Sequence, residues 1–411
     1  MKELFPNWFE NINWLVFFQV PNKRIWILLI GLVGGRCYFS KAQSSAYNYI
    51  RFTEDFLSHP NDIESNGMAG LGMVSSNPMS MQGISHNPAL LAKKKKYWYA
   101  RINNSFTKTS LFNNDLDLTY LSGAVSHGFD SLQGLAMDFN YYGYGYIAQY
   151  DSVTSTLNKY YSRNYSVGIR YARQITSRCK VGLGLKYFYT NYGVGFKVNG
   201  KDIVSQGIAT DWGINWSDNK SLPNGNRLSW GIGIMLQNMG PKVGIPNLSV
   251  SKAFLPQNFR LGANLCLLGK DLPNSLHLVV GYELNKWLVP TPPLRNGSTI
   301  IKGKDNNVSS FVGTFQSFAD APFGFKEELA EINHLLGLEL HQKVDKKWFW
   351  AVRGGYSHSP KSKGGIPHFT LGATLAYREF SLACFVKINP DYKTTIVDQP
   401  LGFQLAYFFD R

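Results

Sequence analysis

Charged residues and long apolar runs are both scarce in this chain of 411 residues. Asp, Glu, Lys and Arg make up 17% of it, whereas a soluble protein usually contains about a quarter. No segment has the roughly twenty consecutive apolar residues that a membrane-spanning helix needs. Aromatic residues reach 15%, and glycine is present in 39 copies. This combination argues against soluble domains and against a helical membrane protein. It favours strands whose faces alternate between lipid and a polar lumen.

Cysteine is also scarce, and its four copies show neither CxxC nor the spacing of a zinc site. Cys37 lies in a segment that we expect to be removed, and we interpret Cys179, Cys266 and Cys384 as small apolar residues. The eight histidines show no metal-ligand spacing. The sequence therefore predicts no metal and no cofactor.

Acidic residues are the rarer charge, with 27 against 42 Lys and Arg and a formal net charge of +15. A basic balance can indicate nucleic-acid binding. Here the basic residues are scattered through the chain, and no recognition motif accompanies them. We therefore predict no nucleic-acid partner. Lipopolysaccharide phosphates and acidic partners are the expected counterparts, with a merely solvated periphery as the alternative.

The N-terminus has the features of an export signal. Residues 25–35 (IWILLIGLVGG) form an apolar run of signal-peptide length behind two basic residues, and a small-x-small arrangement ends at Ala42. We predict a signal peptide over residues 1–42, with an extended n-region and cleavage near Ala42. An arginine directly before Cys37 does not suit a lipid-anchored N-terminus.

Beyond this signal, apolar residues recur with a period of two. In 181–190, Leu183 and Leu185 share one face with two tyrosines, while Gly184 and Lys186 share the other. Large apolar residues outward and small or polar ones inward predict strands. Similar segments run over 97–106, 116–128, 132–142, 164–174, 180–190, 206–217, 228–238, 258–268, 275–286, 332–343, 347–358, 367–378, 379–388 and 400–410.

The connections between these segments alternate in length. Those after even-numbered segments are short, such as 129–131 and 344–346, and those after odd-numbered ones are mostly longer, such as 239–257 and 287–331. Short periplasmic turns and longer external loops are typical of outer-membrane barrels. We predict an all-β protein, a transmembrane antiparallel barrel of about fourteen strands over 97–411. It would lie in the bacterial outer membrane with both termini periplasmic.

The predicted lumen contains charges of both signs. A barrel of this width must be filled or must conduct, and residues 43–96 precede the first strand as the natural N-terminal hatch or plug. Paired charges can lock such a segment in place, and the alternative is a polar pore. We favour the plugged barrel. The inward charges are Arg170, Lys186, Asp211, Arg260, Glu283, Glu339 and Arg353.

A barrel enzyme that hydrolyses lipid is the catalytic alternative. Such an enzyme needs a nucleophile within hydrogen-bond reach of a base, and Ser357-His358-Ser359 is the best local candidate. It lacks the GxSxG elbow, and adjacent strand residues point to opposite faces. The sequence therefore predicts a protein that is not an enzyme.

Several stretches resemble a known family. Asn87, Pro88 and Ala89, within SHNPALL, resemble the hatch motif of the FadL-type fatty-acid channels, whose N-terminal segment plugs the barrel. LVPTPP at 288–293 and SFADAPFGFKEEL at 317–329 are more specific. With AVRGGY at 351–356 and FTLGA at 369–373, they resemble the PorV family, the FadL-like outer-membrane proteins of type IX secretion. The resemblance runs from about Gly67 to the C-terminus.

This resemblance implies a non-catalytic adaptor, or cargo shuttle. PorV proteins associate with an SprA-type translocon barrel and bind the C-terminal domain of secreted cargo. They then deliver it to a surface attachment complex that contains a PorU-type sortase. The rival hypothesis is a FadL-like transporter of hydrophobic molecules, for which a lumen with this many charges is rather polar.

The loop 287–331 contains both specific motifs and has two open interpretations. It either folds inward and caps the barrel, or it contacts the translocon or cargo. Its prolines favour extended backbone, exposed aromatics anchor interfaces, and FKEELAEI at 325–332 has a short helical pattern. The candidate contact residues are Pro290, Pro292, Pro293, Phe318, Asp320, Phe323, Phe325 and Glu328.

Overall fold

The computed structural model describes residues 48–410 except for a set of internal gaps. The predicted signal peptide over 1–42, with Cys37, therefore lies outside the described residues. The gaps are 60–61, 74–80, 94–95, 112–113, 131, 152–155, 196, 199, 224, 246–251, 270–274, 346 and 390–400.

Fourteen strands of the described chain form one closed barrel in which each strand pairs antiparallel with its sequence neighbour. The last strand closes the ring on the first, from Tyr97 opposite Asp410 to Phe106 opposite Leu401. This confirms the predicted barrel and its strand number. The strands are β1 (Tyr97–Leu111), β2 (Asn114–Gly128), β3 (Gln133–Gly143), β4 (Arg163–Gln174), β5 (Cys179–Asn191), β6 (Val204–Ser221), β7 (Arg227–Met239), β8 (Asn258–Leu268), β9 (Leu276–Trp287), β10 (Ile332–Lys343), β11 (Trp348–His358), β12 (His368–Tyr377), β13 (Phe380–Ile388) and β14 (Leu401–Asp410).

The two faces of the wall differ as the alternation predicts. In β5, Leu183 and Leu185 are 47% and 53% exposed, while Lys186 and Phe188 are buried. The outward face is thus apolar, because strands that face lipid must present apolar side chains. Cys266 is buried and Cys179 and Cys384 are half-buried, and all three are free thiols.

The connections also follow the predicted parity, with one exception. The exception is the connection between β1 and β2, which is short. The sequence shows no alternation at 107–115 because polar residues occupy both alternating positions, yet β1 and β2 stay paired to Leu111 and Asn114. Longer connections carry ribbons of Tyr146–Asp151 with Thr156–Tyr161, Lys197–Val198 with Lys201–Asp202, and Leu294–Asn296 with Thr299–Lys302. The end of the barrel with the longer connections is called the loop end below, and the other the turn end.

Helical structure is confined to short pieces. The helices are α1 (Ile63–Asn66), α2 (Ser310–Gln316) and α3 (Phe325–Leu329), and 3-10 turns cover Asp55–Ser58, Gln82–Ile84, Pro88–Leu91 and Lys361–Lys363. α3 confirms the helical pattern at 325–332, although it ends three residues earlier. Among the described residues, no helix is long and apolar enough to cross a membrane.

The segment before β1 packs against the inward face of the wall. Glycines on the inner face make this approach close: a Cβ at Gly182 would collide with the backbone of Ala89, and one at Gly372 with Gly67. The segment begins at the loop end, where the Asn48 side chain donates to the Pro292 carbonyl. It reaches the turn end at Leu91, whose carbonyl accepts from the Tyr97 hydroxyl. The described chain therefore runs through the barrel interior before it enters β1.

Candidate functional site

The Asn-Pro-Ala motif joins the interior segment to the barrel wall. The Asn87 amide donates to the carbonyls of Ile214 in β6 (2.9 Å) and Met73 (3.2 Å). Its own carbonyl accepts from the Ala89 backbone N–H (3.1 Å), and Pro88 begins the 3-10 turn that follows. Asn87 is fully buried. All the polar atoms of this side chain are thus used to hold the segment's course.

Two of the predicted inward charges form one buried group with the segment. The Arg260 guanidinium pairs with Glu283, donates to the Gly70 carbonyl (2.8 Å) and lies 3.0 Å from His86 Nδ1. Glu283 accepts from the Gly72 N–H (3.1 Å). These charges therefore stabilise the backbone at 70–72 instead of lining an open space.

Arg353 and Glu339 form a second group of the same kind. Arg353 Nε lies 2.5 Å from Glu339 Oε2, and its guanidinium is 3.6 Å from Glu64 of α1. The Thr374 hydroxyl also donates to Glu64 (3.2 Å). All of these side chains are buried, so the wall holds α1 by charge and hydrogen bonds together.

The remaining three predicted charges lie together on neighbouring strands. Lys186 Nζ is 2.9 Å from Asp211 Oδ1, and the Arg170 guanidinium is 3.6 Å from Asp211 Oδ2. Arg170 also pairs with Asp138 of β3. The group is at most 5% exposed at every side chain. It connects β3, β4, β5 and β6 across the inner face of the wall.

Sequence reasoning missed several members of these groups. Asp62 and Glu64 lie in the interior segment, where no periodicity marks a facing direction. Arg101, which pairs with Asp62 (3.0 Å), was hidden because aromatic residues occupy both faces at the start of β1. Asp138 could have been found, since it lies on the same face of β3 as Ala136 and Asn140 in a regular period of two.

The long loop between β9 and β10 is fixed to the outside of the wall. Lys286 comes three residues after the inward Glu283 on β9, so it faces outward. Its ammonium is 2.7 Å from Glu331 and 3.2 Å from Glu328. Lys363 of the β11–β12 connection adds a contact of 2.9 Å to Glu331. Lys286 is only 6% exposed, so this part of the loop covers the outer surface at the loop end.

Asp320 and Glu328, two of the candidate contact residues, are buried in the same anchor. Glu328 accepts from the backbone N–H groups of Asp320 (2.6 Å) and Ala321 (2.7 Å). Asp320 accepts from the Thr291 N–H (3.1 Å). Burial, with the negative charges of Glu328 and Glu331 nearby, raises the pKa of Asp320 to about 7. These carboxylates shape the loop and do not present themselves to a partner.

The pKa of Glu331 moves in the opposite direction. Its burial favours the protonated form, but the charge of Lys286 and hydrogen bonds from Lys286, Thr291 and Lys363 together lower the pKa below its usual range. Oxygens of Asp320, Glu328 and Glu331 lie within 4.8 Å of one another, the spacing of a cation site. The two lysine ammonium groups already neutralise part of this charge.

The aromatic candidates of the loop point into the surroundings. Phe318, Phe323 and Phe325 are 49%, 54% and 75% exposed. Pro290 is buried, and Pro292 and Pro293 are half-buried. Phe311 and Phe315 of α2, which the motifs did not include, are 75% and 63% exposed, and their spacing of four residues was the available signal. We call Phe311, Phe315, Phe318, Phe323 and Phe325 the aromatic surface.

Different parts of this loop pack against different parts of the barrel. At α2, the Ser310 hydroxyl donates to the Gly240 carbonyl (2.6 Å) and Thr314 donates to Gln257 (2.9 Å), so this part packs over the β7–β8 connection. The Phe318 ring instead lies 6.4 Å from the ring of the outward-facing Phe259. The loop therefore packs across the rim onto the outer wall.

Ser357 and His358 of the triplet at 357–359 lie on opposite faces of β11. Ser357 is buried and shares the inner face with Arg353, whereas His358 lies on the opposite face, with its ring 6.3 Å from that of His334. Alternation along β11 keeps the two side chains apart.

Comparisons with known proteins identify a family. The family described as Type IX secretion system protein PorV matches residues 42–294, more than half of the chain. The match starts before Gly67, where the sequence resemblance was placed, and ends before the motif at 317–329. No curated protein sequence matches the chain.

Solved structures with a similar fold include three described as channels, homologues or transporters. The CymD monoaromatic hydrocarbon channel has a TM-score of 0.45 and 12% identity, over 90% of this chain and 99% of that one. A Pseudomonas aeruginosa FadL homologue has a TM-score of 0.43 and 10% identity, over 88% and 99%. The P. putida toluene transporter TodX has a TM-score of 0.44 and 10% identity, over 84% and 97%. Scores this low do not bear on function, but the family match over residues 42–294 does: the chain belongs to the PorV family of type IX secretion system proteins.

Proposed function

We propose that this outer-membrane barrel acts as a non-catalytic adaptor of type IX secretion. It would bind the C-terminal domain of secreted cargo at an SprA-type translocon barrel. It would then deliver the cargo to the surface attachment complex that contains a PorU-type sortase. The observation that carries this proposal is the aromatic surface, held in place by the buried anchor of Lys286, Glu328 and Glu331.

A loop that is ordered before it meets its partner binds more tightly, because less conformational entropy is lost on association. The carboxylates of Glu328 and Glu331 fix the backbone on either side of α3. Aromatic residues, phenylalanine among them, are enriched in the cores of protein interfaces. The loop thus supplies what a protein-binding adaptor requires.

The interior of the barrel supports an adaptor over a conduit. The described strands pair continuously around the ring, with one register shift between Thr210 and Trp212 in the β6–β7 ladder. Inside, the described residues between 62 and 92 pack against the inner face and form buried ion pairs with it, which supports a plug. The transporter alternative requires a hydrophobic path through this same space, and the charged inner face disfavours it.

The partners follow from this role. The aromatic surface would contact the translocon or the cargo domain, and the two are distinguished by which of them is lost on substitution. The outward apolar face would contact outer-membrane lipid, and lipopolysaccharide phosphates would be counterparts of the scattered basic residues. We propose that both termini are periplasmic, although Asn48, the first described residue, lies at the loop end. The predicted hatch assignment of residues 43–96 belongs to the same proposal.

The test is an affinity purification of the tagged protein from native membranes, with mass spectrometry of what accompanies it. We expect a giant barrel, a sortase-like protease or proteins with a common C-terminal domain. The double variant Phe323→Ala/Phe325→Ala should reduce this recovery at least about tenfold, as loss of interface anchors does.

The matched control is Phe129→Ala, since Phe129 is 47% exposed at the opposite, turn end of the barrel. It should leave the recovery unchanged. Purification of the barrel alone, with a stoichiometric lipid or other hydrophobic molecule, would refute the adaptor and favour the transporter.

A further inference from the structure

A cavity of about 320 Å³ lies at the loop end, where β3, β4 and β5 meet the start of the interior segment. Two adjacent acidic residues, Glu54 and Asp55, line one side of it. Asn164, Thr190 and Tyr192 line part of the rest. None of the described residues that line it is Lys, Arg or His. In a chain with a net charge of +15, an acidic cavity without a basic residue runs against the overall composition.

Glu54 is the centre of this cavity. It is 5% exposed, and among the described residues its carboxylate accepts hydroxyl hydrogen bonds from Thr190, from Tyr192 (2.9 Å) and from Thr53 (3.5 Å). Among the described residues, no cation lies within ion-pair distance of it. Burying an ionised carboxylate is costly unless a positive charge compensates it. The carboxylate of Glu54 is thus buried beside the cavity without a cationic partner among the described residues.

The backbone at Glu54 is also unusual. Its φ of 56° and ψ of 44° lie in the left-handed region, which a residue with a long side chain rarely adopts. Such conformations cluster at ligand sites, where the surrounding structure enforces them. This conformation turns the chain so that Glu54 and Asp55 both line the cavity. Asp55 lies at the solvent-exposed side, where the Tyr144 hydroxyl donates to it.

We propose that this cavity binds a primary ammonium group. An ammonium has three N–H donors and no acceptor, which matches two carboxylates and a ring of hydroxyl oxygens. Charge-assisted hydrogen bonds of this kind are the strong ones. Phe56 and the two tyrosines supply aromatic surface, which attracts cations. A site this large suits an ammonium on a short alkyl chain better than a bare metal ion, since one water occupies only about 30 Å³.

Two sources carry this chemistry, a lysine side chain of a protein and a free alkylamine. The experiment is calorimetric titration of the full exported chain in detergent at neutral pH. The probes are Nα-acetyl-lysine amide, n-pentylamine and the neutral isostere Nα-acetyl-norleucine amide. We expect both amines to bind if the source is a small amine, and the lysine amide alone to bind if it is a peptide. The norleucine probe should not bind in either case.

The variant Glu54→Gln should weaken amine binding about tenfold or more, as expected for loss of a charged acceptor. Asp55→Asn, at the exposed side, should weaken it less. Asp130→Asn, in a turn at the opposite end, is the control and should not change it. Heat-dependent migration of the barrel on gels verifies that each variant is folded. Because the comparison of lysine with norleucine uses the unaltered protein, it stands even if Glu54→Gln does not fold.

Three results would overturn the proposal. They are norleucine binding as tight as lysine binding, no binding of either amine, and calcium chloride displacing the amine at equimolar concentration. The last would assign the carboxylates to a divalent cation.

Discussion

The interior segment at 62–91 and the long loop at 288–331 use the same interaction for opposite purposes. Both are held by buried carboxylates that pair with basic residues of the wall: Glu64 with Arg353, and Glu331 with Lys286. Inside, the described apolar side chains of the segment are also buried, so the ion pairs lie within a packed interior. On the loop, the pairs lie beneath a surface that leaves its phenylalanines exposed. Buried ion pairs thus lie within a packed interior at the segment 62–91, whereas in the long loop they support an exposed aromatic surface.

Loss of Arg353 should produce the largest effect, because it breaks the interior group. In Arg353→Met, Glu339 and Glu64 lose their cationic partner within the barrel. Breaking a buried ion pair in this way costs roughly 3–5 kcal/mol of unfolding free energy. Urea unfolding of the refolded barrel, followed by tryptophan fluorescence, measures it.

Arg178→Met is the matched control for this change. Arg178 also pairs with a carboxylate, Asp218 at 2.9 Å, but its side chain is 58% exposed. An exposed pair contributes at most about 1 kcal/mol. If the two variants lose equal stability, the buried pairs do not hold the interior segment in place more strongly than an exposed pair would.

The sequence was sufficient to predict the strands of the barrel wall. A closed barrel requires one face toward lipid and one toward the interior on every strand, so alternation marks the strands and their facing direction together. It also identified the inward charges from Arg170 to Arg353. It failed at 107–115, where the sequence shows no alternation although β1 and β2 stay paired to Leu111 and Asn114.

The partners of those charges could not be predicted from alternation. Asp62 and Glu64 lie in an interior segment with no repeating pattern, and their positions depend on contacts with the barrel strands. Asp62 pairs with Arg101 of β1, and Glu64 accepts from Thr374, which is 310 residues away in the chain. The environment of the acidic residues in the long loop was not predicted either. Asp320 and Glu328, two of the candidate contact residues, are buried because Glu328 pairs with the outward Lys286 and accepts from the Asp320 backbone.

Loss of Lys286 should have a smaller and more local effect. In Lys286→Met, Glu328 and Glu331 lose one ammonium, although Lys363 still contacts Glu331. We expect local opening of 318–331 to become easier by about 2 kcal/mol, less than for the interior group because the released carboxylates reach water. Hydrogen exchange of that segment measures it, with global unfolding unchanged.

Lys304→Met is the control, because Lys304 is exposed in the same loop. It should leave exchange at 318–331 as it is. If Lys286→Met lowers the global stability as much as Arg353→Met does, the loop is part of the barrel core and not a separately anchored surface.

The smallest expected effect is a pH dependence of the same loop, and its sign follows from Asp320. The pKa of this carboxyl is about 7 in the folded loop and 3.8 as the ordinary value. The anchored state therefore binds a proton that the detached state has released throughout this interval. Stability of the anchor from this group should fall as the pH rises from about 4 to about 7, and remain low above it. Glu331 acts in the other direction, but its lowered pKa confines its effect to more acidic pH.

Hydrogen exchange at 318–329, corrected for intrinsic rates, should thus show more opening at about pH 8 than at about pH 5.5. Asp320→Asn should abolish the difference, because the amide does not titrate. Asp305→Asn, which alters an exposed pair with Arg295 in the same loop, should preserve it. A pH dependence that persists in Asp320→Asn would assign it to another group of the anchor.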